Sequence, residues 1–371
     1  MMSCGNIHNG DGKVTGEKRD ELRARALRPL QTNRGEGERM KETIKDWLRL
    51  FRAQTAPATV LLLLVPYLAG EGATLVGALI IGIFGLFAHF WSFGQNSLLD
   101  TTIIHYKGRP PPDLEDPSKA HHPLVAGRIR LSEAHSVINW GLALLVTVGG
   151  IGSLLGANPA LSMFSLIIWV IWGWGYNAGL SKVSLLGFLP ITICFMGLTG
   201  WAWFLTHEAM SVLGWYYFAY VGLTILFQIS VEGNLKEMRQ AERSNLLIKM
   251  GASLRDGRFD PGWALLYGFA VKGASLYILT RMMEPFLSGP AVIWFCFIFV
   301  GVGSMTALLC TPRPYDRATE LKRMSLLEII SIYAPIPLMV PWDQALTLMA
   351  TGVAYFYLMN RALWGVSYPK V

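Results

Sequence analysis

Between Asn96 and Gly127 the chain gathers hard oxygen donors, imidazoles and cations at the end of an apolar run. The stretch opens Asn96-Ser-Leu-Leu-Asp100. It passes through a Pro-Pro-Pro turn to Asp113, Asp116 and Lys119, and closes on His122-Pro-Leu-Val-Ala-Gly127. Magnesium binds oxygen, usually through one or two carboxylates, and completes its shell with substrate phosphates and water. Lysine and arginine beside it neutralise phosphate charge. A second polar block runs Gln228, Glu232, Asn234, Lys236, Glu237, Arg239, Glu242, Arg243, Asn245, Lys249. Gln228, Glu232, Lys236 and Arg239 share one face if the preceding helix continues outward. Two such blocks suit a magnesium–diphosphate site on a molecule with a charged head and an oily tail.

The elements that must position these residues are membrane helices. Of 371 residues, 52% are hydrophobic and 15% charged, against about a quarter charged in soluble proteins. Mean hydropathy is +0.38. Several apolar runs reach the roughly 20 residues that cross a bilayer, and no short alternating segments mark a β-barrel. The formal net charge is +7, carried in a few loops. That pattern speaks for topology and anionic lipid, not for nucleic acid. Cys4, Cys194, Cys296 and Cys310 lack metal-ligand spacing, and the reading is buried thiols.

Residues 1–39 are polar, without a signal-peptide core, and read as a disordered cytoplasmic tail. Residues 40–54 place Ile44, Trp47, Leu48 and Phe51 at helical spacing among cations, an interfacial amphipathic helix. The remaining chain, 55–371, reads as one all-α, polytopic membrane helix bundle, about nine transmembrane helices around a central cavity. The spans fall near 56–68, 75–100, 134–155, 160–175, 185–205, 212–230, 261–279, 291–309 and 345–363. A Pro-broken piece, 326–341, is re-entrant or a tenth crossing. His89, Ser92, Asn96 and Asp100 share one face of the second span. His89 there either bonds a neighbouring helix or faces a cavity. Lysine and arginine crowd the N-terminal tail and the 96–131, 234–261 and 311–323 loops. The positive-inside rule therefore sets the N-terminus and both polar blocks on the cytoplasmic side of a multi-pass cell-membrane protein.

Asn96-x-x-x-Asp100 with Pro123-Leu124-Val125-Ala126-Gly127 resembles the first motif of the UbiA superfamily of intramembrane prenyltransferases. That motif has the form Asn-x-x-x-Asp-x-x-x-Asp followed by Arg-Pro-Leu-x-x-Gly; His122 replaces its Arg. Arg52-Ala-Gln-Thr-Ala-Pro57, Pro66-Tyr-Leu-Ala-Gly70, and Tyr176 followed by Lys182 are similar too. The resemblance covers roughly 45–365. The second Asp of the motif would fall at Ile104. An insertion shifts that role to Asp113 or Asp116. In the second block, Glu232, Glu237 and Glu242 stand where the family shows several Asp.

The resemblance implies transfer of an isoprenyl group from a prenyl diphosphate to an acceptor of unknown identity, with Mg2+ as cofactor. Asn96, Asp100, Asp113 and Glu237 would hold the metal. Lys119, Lys182, Lys236 and Arg239 would hold diphosphate, with Arg52, His122 and Tyr176 also contacting substrate. The catalytic set is Asn96, Asp100, Asp113, Glu232 and Lys236. Trp172, Trp174, Trp201, Trp203 and Tyr176 are available to stabilise an allylic cation or to pack at the interface. Two rivals stand: a UbiA-type terpene cyclase, and a transporter with His89 and Lys272 along its pathway. Cysteines placed at Asp113 and Glu242 should label from the same side of the membrane with an impermeant reagent; opposite sides would break the shared site.

Overall fold

The structure is a computed structural model, and it describes residues 36–99, 101, 122–180, 186–236, 238, 246–286 and 289–366. Its helices are α1 (Glu36–Leu50), α2 (Ala56–Leu68), α3 (Leu75–Leu99), α4 (Leu131–Leu155), α5 (Pro159–Ala178) and α6 (Leu189–Phe204). They continue with α7 (Val212–Phe227), α8 (Ala264–Met283), α9 (Gly289–Cys310), α10 (Arg317–Tyr333) and α11 (Trp342–Trp364). Local chemistry sets several starts. Asn158, Ser211 and Asp316 accept backbone N–H bonds from Leu161, Gly214 and Thr319, and Pro159 follows Asn158 at the first helical position.

Five helices are long and apolar enough to cross a membrane: α3, α4, α5, α7 with its extension to Lys236, and α9. A sixth crossing results if α1 and α2, bent by 56°, form one span. The bundle itself holds more helices than that. α10, in the segment read as Pro-broken, runs from one end of it to the other. Near its start Tyr315 donates to the Leu235 carbonyl at 3.0 Å, and past its end Trp294 Nε1 donates to the Ala334 carbonyl at 3.0 Å. α11 then returns, because Arg49 of α1 bonds the Leu363 carbonyl at 2.9 and 3.1 Å.

α2 is the axle. Leu63 and Tyr67 pack into an apolar cluster with Phe84, Trp169 and Trp201, whereas Leu61, Leu62 and Val65 join one with Phe227, Leu279 and Leu327. Close helix contact needs small residues: a Cβ on Gly197 of α6 would lie 2.8 Å from the Trp169 nitrogen of α5.

Three features depart from the sequence reading. First, the amphipathic helix begins at Glu36 and turns Asp46 and Leu50 inward, leaving Ile44 53% exposed. Burial of Asp46 is possible because Arg49 (3.0 Å) and Arg128 (2.8 Å) neutralise it. Second, the chain is not wholly helical. β1 (Ser253–Arg255), β2 (Arg258–Asp260) and β3 (Arg313–Pro314) form an antiparallel sheet in that order. Asp256 and Gly257 turn the hairpin with φ of 49° and 72°, the Asp-Gly signature of a two-residue turn. Third, Cys296 is exposed on α9, whereas Cys194 and Cys310 are buried.

The basic loop before α10 is structural as well as topological. Arg313 grips Glu320 through two bonds of 2.9 and 2.6 Å, Arg323 adds a third at 3.0 Å, and Glu320 is fully buried. Removing one member of such a set strands the others. Glu320→Ala is therefore expected to cost about 3–5 kcal/mol and to lower the melting temperature of the purified protein. An unchanged melting temperature would contradict this.

Candidate active site

The first polar block starts at the end of α3. Asn96 Nδ2 donates to Asn177 Oδ1 at 3.1 Å, and Asn177 Nδ2 donates to Gln95 Oε1 at 2.9 Å. Asn177 is buried at the end of α5, beside Tyr176. This amide chain ties α3 to α5 and leaves Asn96 Oδ1 without a hydrogen bond among the described residues. An amide oxygen so placed fits a hard cation. Asn177 was missed in the sequence, although its position next to Tyr176 was a signal. His122 opens the turn Pro123–Gly127, its carbonyl accepting from Ala126 at 2.9 Å. Arg128, the next residue, is pinned to Asp46.

Arg52 sits between α1 and α2 in the left-handed region, φ 48°. Its guanidinium lies 5.2 Å from the centre of the Phe93 ring, one turn before Asn96. His89 explains how that backbone is held. One ring nitrogen is 2.8 Å from the Thr59 hydroxyl and the other 3.1 Å from the Arg52 carbonyl. His89 thus bonds the neighbouring segment and holds the Arg52 backbone.

The second block continues α7. A π turn, Gln228–Glu232, leads into a last turn, Gly233–Lys236, and such turns recur at functional sites. Glu232 is 5% exposed, so it is not half of a surface pair with Lys236. It lies within electrostatic reach of Glu328 of α10, Lys272 of α8 and Lys236. Gln228 Nε2 donates to Glu328 Oε1 at 2.7 Å. Lys272 donates to Ser331 Oγ at 3.0 Å and lies 4.6 Å from the Phe227 ring centre. Lys272 is therefore a buried, partnered cation and needs no transport pathway to account for it. Asn234 has a local role: it bonds the carbonyls of Ile229 and Ser230 and accepts from the Leu246 N–H.

Asp100, Asp113, Lys119, Lys182, Glu237 and Arg239 lie outside the described residues. Among the described residues no three carboxylates, imidazoles or thiols gather as a metal cage. The aromatic candidates change. Trp174 is 55% exposed on the outer face of α5. Trp201 donates to Ser153 Oγ, and Trp203 to the Ala209 carbonyl, both packed in the core. Phe93 lies under Arg52 and against the His89 ring, 4.4 Å between ring centres.

No protein-family profile matches the chain, and no curated protein sequence matches it. Solved structures do. A UbiA homologue from Archaeoglobus fulgidus bound to GPP and Mg2+ gives a TM-score of 0.54 at 13% identity, covering 79% of this chain and 99% of that one. The chain has the UbiA fold. A UbiA homologue from Aeropyrum pernix, in its apo form, gives 0.55 at 16% identity, covering 81% and 96%. A digeranylgeranylglyceryl phosphate synthase gives 0.54 at 16% identity, covering 80% and 99%.

Asn177 makes more bonds than Asn96, since its Nδ2 also lies 3.4 Å from the Ser92 carbonyl. Unmade buried hydrogen bonds cost about 1–3 kcal/mol per group. Asn177→Leu should lower the melting temperature more than Asn96→Leu does; equal or reversed shifts would contradict the network.

Proposed function

We propose that the chain belongs to the UbiA superfamily and is a Mg2+-dependent intramembrane prenyltransferase. It transfers an isoprenyl group from a prenyl diphosphate to an acceptor. The observation that carries this reading is the UbiA fold together with the placement of Asn96 and Glu232 at the ends of α3 and α7. The solved A. fulgidus homologue with GPP and Mg2+ supports the substrate and the metal. The reading takes α2 to α9 and α11 as the nine expected crossings, with α10 as the tenth. The tie between Arg49 and Leu363 supports the even count, because it sets both ends of the helical chain on one side.

Asn96 Oδ1, Asp100 and Asp113, with Glu237 across the site, would hold the metal. When bound, Mg2+ supplies charge that draws the diphosphate away from the prenyl carbon. The protein's own groups do the rest. Lys119, Lys182, Lys236 and Arg239 take the leaving diphosphate, which stabilises charge as it develops. Arg52 approaches from the α1–α2 bend, fixed there by His89. Glu232 orients Lys236 from the preceding turn. His122 and Tyr176 border the first motif and contact substrate. Apolar walls keep water from the prenyl cation.

Full-length protein in detergent, given Mg2+ and geranyl, farnesyl or geranylgeranyl diphosphate with a lipid extract, should release diphosphate and form a prenylated adduct. Asp100→Ala should cut that rate by about 10²–10³-fold while the protein stays folded. Wild-type turnover in the variant would remove Asp100 from the site.

A further inference from the structure

We propose that Glu328 is the proton acceptor of the transfer and that the cavity beside it seats the hydroxyl group of the acceptor. This rests on the prenyl-transfer reading above.

The cavity measures about 60 Å³ and is walled by Thr55 and Pro57 of the α2 entry, by Glu328 and Tyr333 of α10, and by Phe356 of α11. That space holds a few waters or the small polar end of a larger molecule. Two of its walls connect to residues of the polar blocks. On one side Thr55 follows Arg52 by three residues, and Arg52 covers Phe93, a turn before Asn96. On the other side Glu328 Oε1 accepts from Gln228, a turn before Glu232. Glu328 thus lines the cavity opposite Thr55 and is bonded to the second polar block.

Its second oxygen, Oε2, makes no hydrogen bond among the described residues. Nor does the Tyr333 hydroxyl. Glu328 and Glu232 are balanced in number by Lys272 and Lys236, which act on both. Lys272 is already committed to Ser331. An anionic ligand group would meet a carboxylate here. A hydroxyl fits: it can take a hydrogen bond from Tyr333 and give one to Glu328 Oε2.

The step balances without another reactant. The prenyl C–O bond breaks and its electron pair leaves with diphosphate. A lone pair of the acceptor oxygen forms the new C–O bond to that carbon. The hydroxyl proton passes to Glu328 Oε2.

The test gives full-length protein geranyl diphosphate, Mg2+ and methanol or glycerol as hydroxyl probes, and follows diphosphate release and ether product separately. Wild type is expected to yield both. Glu328→Gln should cut kcat for ether about 10²–10⁴-fold, the usual share of a general base, with little change in KM for geranyl diphosphate. Glu328→Ala should be rescued by formate, small enough to enter the space left, and not by chloride. Should Glu328→Gln fail to fold, the Lys272→Met/Glu328→Gln pair removes the stranded ammonium and takes the same measurements. Wild-type ether formation by Glu328→Gln, or no formate rescue, would overturn the proposal. So would diphosphate release by wild type without ether. Absence of any diphosphate release by wild type would instead overturn the prenyl-transfer reading and this proposal with it.

Discussion

A lysine ammonium inside a helix bundle costs several kcal/mol unless partners replace its water. Lys272, on α8, is 4% exposed and finds them on two neighbouring segments: Ser331 on α10, and Phe227 and Glu232 on α7 and the π turn that follows it. None of these helices can slide past another without stranding a charge. The Tyr220 hydroxyl, bonded to the Ser331 carbonyl at 2.7 Å, and the Tyr267 hydroxyl, bonded to Ser230 at 2.8 Å, fix the same register. The π turn Gln228–Glu232, which follows α7, carries both of the polar side chains that face Glu328 of α10.

The other half of the bundle is held differently. There the polar end of α3 is joined to α5 by neutral amides, Asn96, Asn177 and Gln95, and to α1 by the bond from Ser97 to the Leu50 carbonyl. The division suits the proposed chemistry. The Asn96 amide oxygen suits a metal on the α3 side, and Lys236 suits diphosphate on the α7 side. α2 packs into both halves and carries Arg52 at its entry, so it couples them.

Much of this fold was legible because a bilayer leaves little choice: an apolar run must be a helix with its backbone bonds satisfied internally. Each expected span corresponds to a helix. The charge of the loops pointed to both polar blocks lying at one end, and motif spacing pointed to Asn96 and Glu232. What the sequence did not disclose are pairings distant along the chain. Nothing local marks Glu328 as the partner of Gln228, 100 residues away, or Asp46 as the partner of Arg128. The hairpin at Asp256-Gly257 carried a turn signal that the helical reading passed over. The tryptophans left two readings open because interface packing and cation stabilisation ask for the same side chain.

The central claim is that the ends of α3 and α7 form one metal–diphosphate site. The most direct test is a crystal structure with Mn2+ and a prenyl thiolodiphosphate, the metal located by its anomalous scattering. The account expects the metal about 2.0–2.3 Å from Asn96 Oδ1, with the diphosphate spanning toward Lys236. A metal and diphosphate bound away from both helix ends, or a metal touching neither, would contradict it.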